Sequence, residues 1–409
     1  MLADELQADA LERFLRYVRI DTQSDHDSDS FPSTAKQLDL SRLLVDELRA
    51  ARIEDVELTE HGYVFGTVPG VEGAPTVGLL AHVDTAPDVT GANVDPQVHE
   101  SYDGRELVAG LSPKTSPLLR ERLGHDIVTT DGTTLLGADD KAGVAEITAA
   151  VAYLAAHPEI EHARARICFT VDEETGHGVD HLDLVRFGAD FAYTLDGERV
   201  GEIENETWSA LEVKVTFHGV PVHPGLGKDK LVNPLKLAAR FIAGLPPEVA
   251  PETTEGRDGF IHPMSVTGDP TSATVAVYAR DFEWDGILEK ERLIREVAER
   301  VSPDVMFERW EQYRNMREKL EEAPHVVEAA LEAARRVGLE PKLASIRGGT
   351  DGSRLSELGL PTPNIYTGGN EFHSVREWIS VQDMAISAAT IVELLKLWAE
   401  PEWAARARP

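Results

Sequence analysis

The chain opens on a helical rhythm. Across residues 4–20, Leu6, Ala10, Leu11, Phe14, Leu15 and Val18 fall on one face, with charged positions between them. Residues 33–51 repeat the pattern with Leu38, Leu40, Leu43, Leu44, Val45 and Leu48. The polar stretch 25–32 separates the two helices as a turn. The period then shortens. Residues 56–59 and 63–68 read as strands, joined by a turn at His61-Gly62. Runs without alternation follow at 76–81, 165–171 and 191–195, which is the pattern of strands buried on both faces. Helical patterns at 143–156, 324–337 and 381–397 intervene, with further strands at 342–346 and 363–366. The tail, 401–409, is expected to fray.

The middle of the chain obeys a different rule. Residues 211–217 alternate cleanly, as in a sheet with one wet face. A helix at 234–242, strands at 260–267 and 272–280, a helix at 286–301 and a strand at 304–310 complete a β-α-β-β-α-β order. That order is the ferredoxin-like one. The expectation is therefore an α/β domain of residues 1–207 and 323–409, a mixed sheet flanked by helices. It is interrupted by an inserted ferredoxin-like α+β domain at 208–322.

Composition narrows the function. A length of 409 residues makes two domains the default, and a 42% hydrophobic content suffices for sizeable cores. No apolar run reaches the roughly 18 residues that span a bilayer. The start, Met1-Leu-Ala-Asp-Glu-Leu, is acidic and unlike a secretory signal, so a cytoplasmic location is expected. The single cysteine, Cys168, lies in an apolar strand and reads as a small buried side chain. The net charge is −32, from 72 acidic and 40 basic residues, which argues against a nucleic-acid partner. Adaptation to high salt and plain solubility are equally good readings of that charge.

The chemistry gathers where the apolar strands stop. One ends in His82-Val-Asp84, another in Asp172-Glu173-Glu174, another in Asp196. Leu135-Leu-Gly-Ala-Asp139-Asp140 precedes a helix, and a later strand runs on to His373. In open α/β sheets, ligands collect at the carboxyl ends of strands. Adjacent carboxylates repel unless a cation sits between them or they share a proton. Asp139-Asp140 could also cap the helix, one capping while the other binds. Two histidines with a surplus of carboxylates and no thiolate suit zinc, manganese or cobalt better than calcium. The acids are too many for one ion. A pair of divalent cations would offset their repulsion and acidify a water between them. Of Glu173 and Glu174, one would be a ligand and the other the base for that water. Asp84 stands two residues from His82, placed to hold the second nitrogen of its ring.

Six segments together resemble the peptidase T family, tripeptide aminopeptidases of the di-zinc aminoacylase/carboxypeptidase superfamily. They are His82-Val-Asp84, Gly137-Ala-Asp-Asp-Lys-Ala-Gly143, Asp172-Glu-Glu-Thr-Gly176, Asp196-Gly197, Arg347-Gly-Gly-Thr-Asp-Gly-Ser353 and Thr367-Gly-Gly-Asn-Glu-Phe-His373. They occur in order across nearly the whole chain. The resemblance implies two Zn2+ per chain, with Mn2+ or Co2+ as substitutes. His82 and Asp196 would bind one ion, Glu174 and His373 the other, and Asp139, two before Lys141, would bridge both. Glu173 would be the general base and Asp84 the histidine orienter. In the inserted domain, which the resemblance makes a lid or dimerisation domain, His223 would stabilise the oxyanion. Arg280 and Arg347 would hold the substrate, Arg280 by the peptide carboxylate. For Arg280 the competing reading is a strand-end pair with Asp281, and for Arg347 a tight turn at Gly348-Gly349. The stretch Asn370-Glu-Phe departs from the aromatic segment expected before His373. The implied activity is release of the N-terminal residue from tripeptides. The alternative is another peptidase or deacylase of the superfamily: a dipeptidase, carboxypeptidase or N-acyl amino acid hydrolase. A non-catalytic binding protein is the reading from another class, and an unligated Glu173 beside a full ligand set speaks against it. The exposed strands of the inserted domain suggest a homodimer.

Overall fold

A computed structural model describes residues 1–407. The chain divides into two compact units. The larger takes Met1–Asn205, Met316–Ser345 and the chain from Thr350 on; the smaller takes Glu206–Asn315 with Ile346–Gly349.

The larger unit is built on an eight-stranded mixed sheet. Its order is Glu54–Leu58, Val64–Val68, Arg164–Thr170, Thr76–His82, Phe191–Gly197, Asn364–Tyr366, Glu202–Thr207 and Lys342–Ile346. Four central strands run parallel: Thr76–His82 pairs with Arg164–Thr170 on one side and with Phe191–Gly197 on the other, and the latter pairs with Asn364–Tyr366. Their apolar runs are buried throughout, as Leu79, Leu80, Ile167, Phe169, Tyr193 and Leu195 show. Being parallel, they deliver their carboxyl ends to one edge, and His82 stands opposite Thr170 in the register. Helix Ala138–Ala156 lies on this sheet and is buried almost all round, packed by Leu2–Tyr17 and Val381–Ala399. Cys168 is buried and free, as a small core side chain.

A second, four-stranded antiparallel sheet in this unit escapes the sequence patterns. Gly369–Asn370, Trp378–Ser380, Ile127–Thr129 and Gln97–His99 form it in that order. The strands are two or three residues long, too short to carry a period. A small core of Tyr102, Leu111, Leu119, Ile127 and Trp378 backs them.

The smaller unit is a four-stranded antiparallel sheet, ordered Phe260–Gly268, Ser272–Asp281, Ser209–His218, Met306–Tyr313. Helices Pro234–Gly244 and Trp284–Val301 pack on it. Leu211, Val213, Val215 and Phe217 point into its core, while Lys214 between them is exposed. Connection and strand order are those of the ferredoxin-like fold.

Two differences from the sequence reading have physical causes. The unit boundaries fall at 206 and 315 instead of 208 and 322, and Ile346–Gly349 goes with the smaller unit; the second boundary comes early because Met316 and Leu320 are buried in the larger core. The tail does not fray at once: Pro401–Arg406 is a helix. Trp403 packs edge-on against Trp398 at 5.9 Å, and Arg406 lies over the Trp403 ring at 4.3 Å. The last two residues of that expected tail lie outside the described residues.

Among the described residues no helix is long and apolar enough to cross a membrane.

Candidate metal centre

His82 ends its strand with the ring buried. Its Nε2 lies 3.0 Å from Asp139 Oδ1, 3.6 Å from Asp196 Oδ1 and 4.0 Å from Glu173 Oε2. The other ring nitrogen, Nδ1, faces Asp84, 3.1 Å from its backbone carbonyl and 3.3 Å from carboxylate Oδ1. His373 Nε2 lies 3.2 Å from Asp139 Oδ2 and 3.0 Å from Glu174 Oε2. Two groups of three with metal-ligating atoms result: His82, Asp139 and Asp196, and Asp139, Glu174 and His373. Within each group those atoms lie within 4.8 Å of one another. Asp139 belongs to both, one carboxylate oxygen turned to each histidine.

Local structure explains how Asp139 is presented. Gly137 takes φ +82°, a left-handed conformation that glycine adopts freely, and the helix begins out of helical geometry at Asp139 and Asp140. Asp140 accepts the backbone N–H of His82 at 3.1 Å and of Gly143 at 3.2 Å. The adjacent acids thus divide the work: one caps the helix and tethers the strand, and the other faces the histidines. At Gly143 a Cβ would lie 1.9 Å from the Leu195 carbonyl oxygen. The helix start is that close to strand Phe191–Gly197, which carries Asp196.

The three acids after strand Arg164–Thr170 also separate. Asp172 turns back at φ +59° and accepts the Ser33 N–H at 2.6 Å, the Ser33 hydroxyl and the Gln37 amide at 2.6 Å. Glu173 and Glu174 donate their backbone N–H groups to the Asp84 carboxylate at 3.1 and 3.2 Å. Asp84 therefore faces His82 and also fixes the turn that carries both glutamates. The sequence pointed only to the first of these contacts.

The charges are out of balance. Burial pushes the Glu173 carboxyl well above its ordinary range, and Asp196, Asp351 and Glu174 add to that. Burial and Asp139 push Glu174 up to about 8. Burial and Asp139 push Asp196 up to about 6. Burial opposes charging of His373, yet Asp139 and Glu174 outweigh it and raise the ring to about 11. The Oε1 atom of Glu174 is buried without a hydrogen-bond partner. A crowded set of buried carboxylates, two imidazoles and an orphaned carboxylate oxygen is what a pair of divalent cations satisfies, so the donor set fits such ions. The His373 side chain is 41% exposed, so the cluster is open to solvent on that side.

The sequence missed Asp88 and Asp351. Asp88 Oδ2 lies 3.5 Å from His373 Nδ1, so each histidine has a carboxylate behind it. No spacing in the sequence ties Asp88 to His373, because the two meet only in the fold. Asp351 accepts the Thr170 hydroxyl at 2.7 Å, and burial with Asp84 and Asp196 pushes it up to about 7. It stood within a quoted motif without a role.

The remaining candidates belong to the smaller unit. His223 is exposed and its Nδ1 accepts the Gly225 N–H at 3.2 Å. Arg280 stacks over Tyr278 at 4.7 Å. Asp281, its expected alternative partner, instead takes Lys290 at 2.5 Å. Arg347 lies over Trp208 at 4.8 Å and donates to the Thr254 and Asp258 carbonyls at 3.3 Å. Every one of these partners is within the same unit.

Comparison with known proteins gives a consistent set of relatives. The family model described as peptidase family M20/M25/M40 matches residues 130–397. Proteins named peptidase T from Geobacillus sp. (strain WCH70) and Geobacillus thermodenitrificans are 46% and 47% identical over 406 residues. Each alignment covers 96% of this chain and 99% of the relative. The crystal structure of aminopeptidase PepT from Bacillus cereus superposes with a TM-score of 0.74 at 23% identity. It covers 96% of this chain and 99% of that one.

Proposed function

This chain belongs to peptidase family M20/M25/M40, and on that footing we propose that it is a metal-dependent aminopeptidase releasing the N-terminal residue from tripeptides. The observation that carries the reading is the placement of Asp139 between two histidine-carboxylate groups, with Glu173 beside them and in neither. The near full-length identity to proteins named peptidase T supports the substrate class.

His82, Asp139 and Asp196 would hold one ion, and Asp139, Glu174 and His373 the other. Zinc suits the nitrogen and carboxylate donors best, with manganese or cobalt as substitutes. Bound divalent cations supply Lewis acidity to a peptide carbonyl and lower the pKa of water. Glu173 takes the proton of the attacking water and returns it to the departing amine. Asp84 holds the His82 ring by Nδ1, leaving Nε2 free to ligate.

We assign His223 to the developing oxyanion, and Arg280 and Arg347 to the substrate, Arg280 to its carboxylate. Among the described residues neither guanidinium has a carboxylate partner, in a chain with 72 acidic residues, which supports that assignment. A homodimer belongs to the same reading. The edge strand Phe260–Gly268 leaves Met264 and Val266 half exposed, and we place the contact there. We also place the enzyme in the cytoplasm, with peptide and no nucleic acid as its partner.

Hydrolysis of a free tripeptide, beside its dipeptide, tetrapeptide and N-acetylated counterparts, tests the assignment. Cleavage of the free tripeptide alone, lost to chelator and restored by zinc, manganese or cobalt, is expected. Cleavage of the acetylated peptide, or of dipeptides only, would discard the substrate and point to the deacylase or dipeptidase branch.

A further inference from the structure

Glu377 belongs to neither metal-ligating group, yet its carboxylate is buried, 1% exposed, against the segment that presents Asp139. Its Oε2 accepts the backbone N–H groups of Leu136 at 2.7 Å and Gly137 at 2.8 Å. Its Oε1 accepts the N–H of Asp139 itself at 3.0 Å. Three donors from one turn converge on one carboxylate, an arrangement in which turned backbone grips an anion. The turn needs the grip. Gly137 is left-handed, and Asp139, with ψ 106°, lies outside the helix it precedes.

Glu377 is itself held firmly. The next residue, Trp378, is fully buried, opens strand Trp378–Ser380, pairs with Thr129 and donates its indole N–H to Ser116 at 3.1 Å. The Glu377 N–H closes a turn onto the Ser374 carbonyl at 3.3 Å. His373 stands four residues upstream in the same connection. One carboxylate therefore joins the loop that delivers Asp139 to the loop that delivers His373, and those two side chains meet at 3.2 Å.

We propose that Glu377 is a positioning residue that sets the Asp139 carboxylate relative to His373, and so fixes the spacing of the two cation positions. The inference rests on the reading of Asp139 as the shared ligand. A glutamine at 377 offers one acceptor oxygen in place of two and turns an NH2 group toward an N–H donor. An alanine removes both acceptors.

The test uses the full chain, stripped of metal by a chelator and titrated with Zn2+ against a chromophoric competitor. Apo-protein Tm and tripeptide KM are measured alongside. Glu377→Gln should bind zinc about ten-fold or more weakly, with Glu377→Ala weaker again, while the apo-protein Tm stays near wild type and KM changes less than about two-fold. Zinc affinity of Glu377→Gln within about two-fold of wild type would overturn the proposal. So would an apo form of Glu377→Gln that is already unfolded, since Glu377 would then serve folding alone. Asp139→Asn separates the premise from the inference. If that variant binds two zinc ions as wild type does, the ligand reading fails; if it loses zinc while Glu377→Gln does not, only the positioning role fails.

Discussion

Glu146 shows how a single buried residue can set a pH dependence away from the site. It lies in the middle of helix Ala138–Ala156, fully buried, with Oε1 lacking a partner. Its Oε2 is 2.7 Å from the Ser387 hydroxyl, which is also 2.7 Å from the Tyr366 carbonyl oxygen. One hydroxyl proton cannot serve both acceptors. A protonated Glu146 donating to Ser387, which donates to Tyr366, satisfies the chain. Burial accordingly pushes this carboxyl well above its ordinary range. The native state then holds a proton that the unfolded chain has released, so stability falls as pH rises from the ordinary carboxylate range toward the folded value. Glu146→Gln keeps a donor and removes the titration. It should stabilise the protein at pH 8 by about 1–2 kcal/mol and flatten the decline in Tm as pH rises above the ordinary carboxylate range. Identical slopes for the two proteins would refute this. At this scale the sequence was legible where chemistry declares itself. The acids and histidines at strand ends stood out because charge follows an apolar run there. Asp88, Asp351 and Glu377 did not, because only tertiary contacts bring their carboxylates to a histidine ring, a threonine hydroxyl or a backbone turn.

Among the elements, the helix that starts at Ala138 is tightly constrained. Its approach to strand Phe191–Gly197 leaves no room for a methyl group at Gly143, where a Cβ would also lie 2.5 Å from Asp140 Oδ1. Gly143→Ala should displace the helix start, cost about 1–3 kcal/mol and weaken zinc binding, because Asp139 moves with it. Unchanged Tm and zinc affinity would show that the close approach is not needed. Long strands and helices could be read from their periods, and the parallel run of buried strands even pointed to the edge where ligands gather. The small sheet that carries Gly369–Asn370 and Trp378–Ser380 could not, since its strands pair over only two or three positions and show no period. The terminal helix Pro401–Arg406 was missed for a similar reason. It is held by Trp403 on Trp398, a packing contact that composition does not reveal.

For the molecule as a whole, the order of apolar and alternating runs separated an α/β unit from an antiparallel insert. The exact limits depended on which core buried Met316 and Leu320. The larger unit carries an electrostatic cost. Its cluster packs buried carboxylates together, and bound cations would offset their repulsion. Stripping metal should therefore lower the Tm. At ligand concentrations a thousand times Kd the difference is about 4 kcal/mol, and zinc, manganese or cobalt should restore it. A Tm indifferent to chelator and to added metal would contradict a metal centre in this unit. The central claim is narrower: Asp139-linked ligand groups hold the ions, and Glu173 moves the proton. Its most direct test is Glu173→Gln, measured for free-tripeptide turnover and for metal content in one preparation. The account predicts turnover reduced by about 10²–10⁴ with close to two ions per chain retained. Turnover near wild type, or loss of an ion along with activity, would contradict it, the second by making Glu173 a ligand.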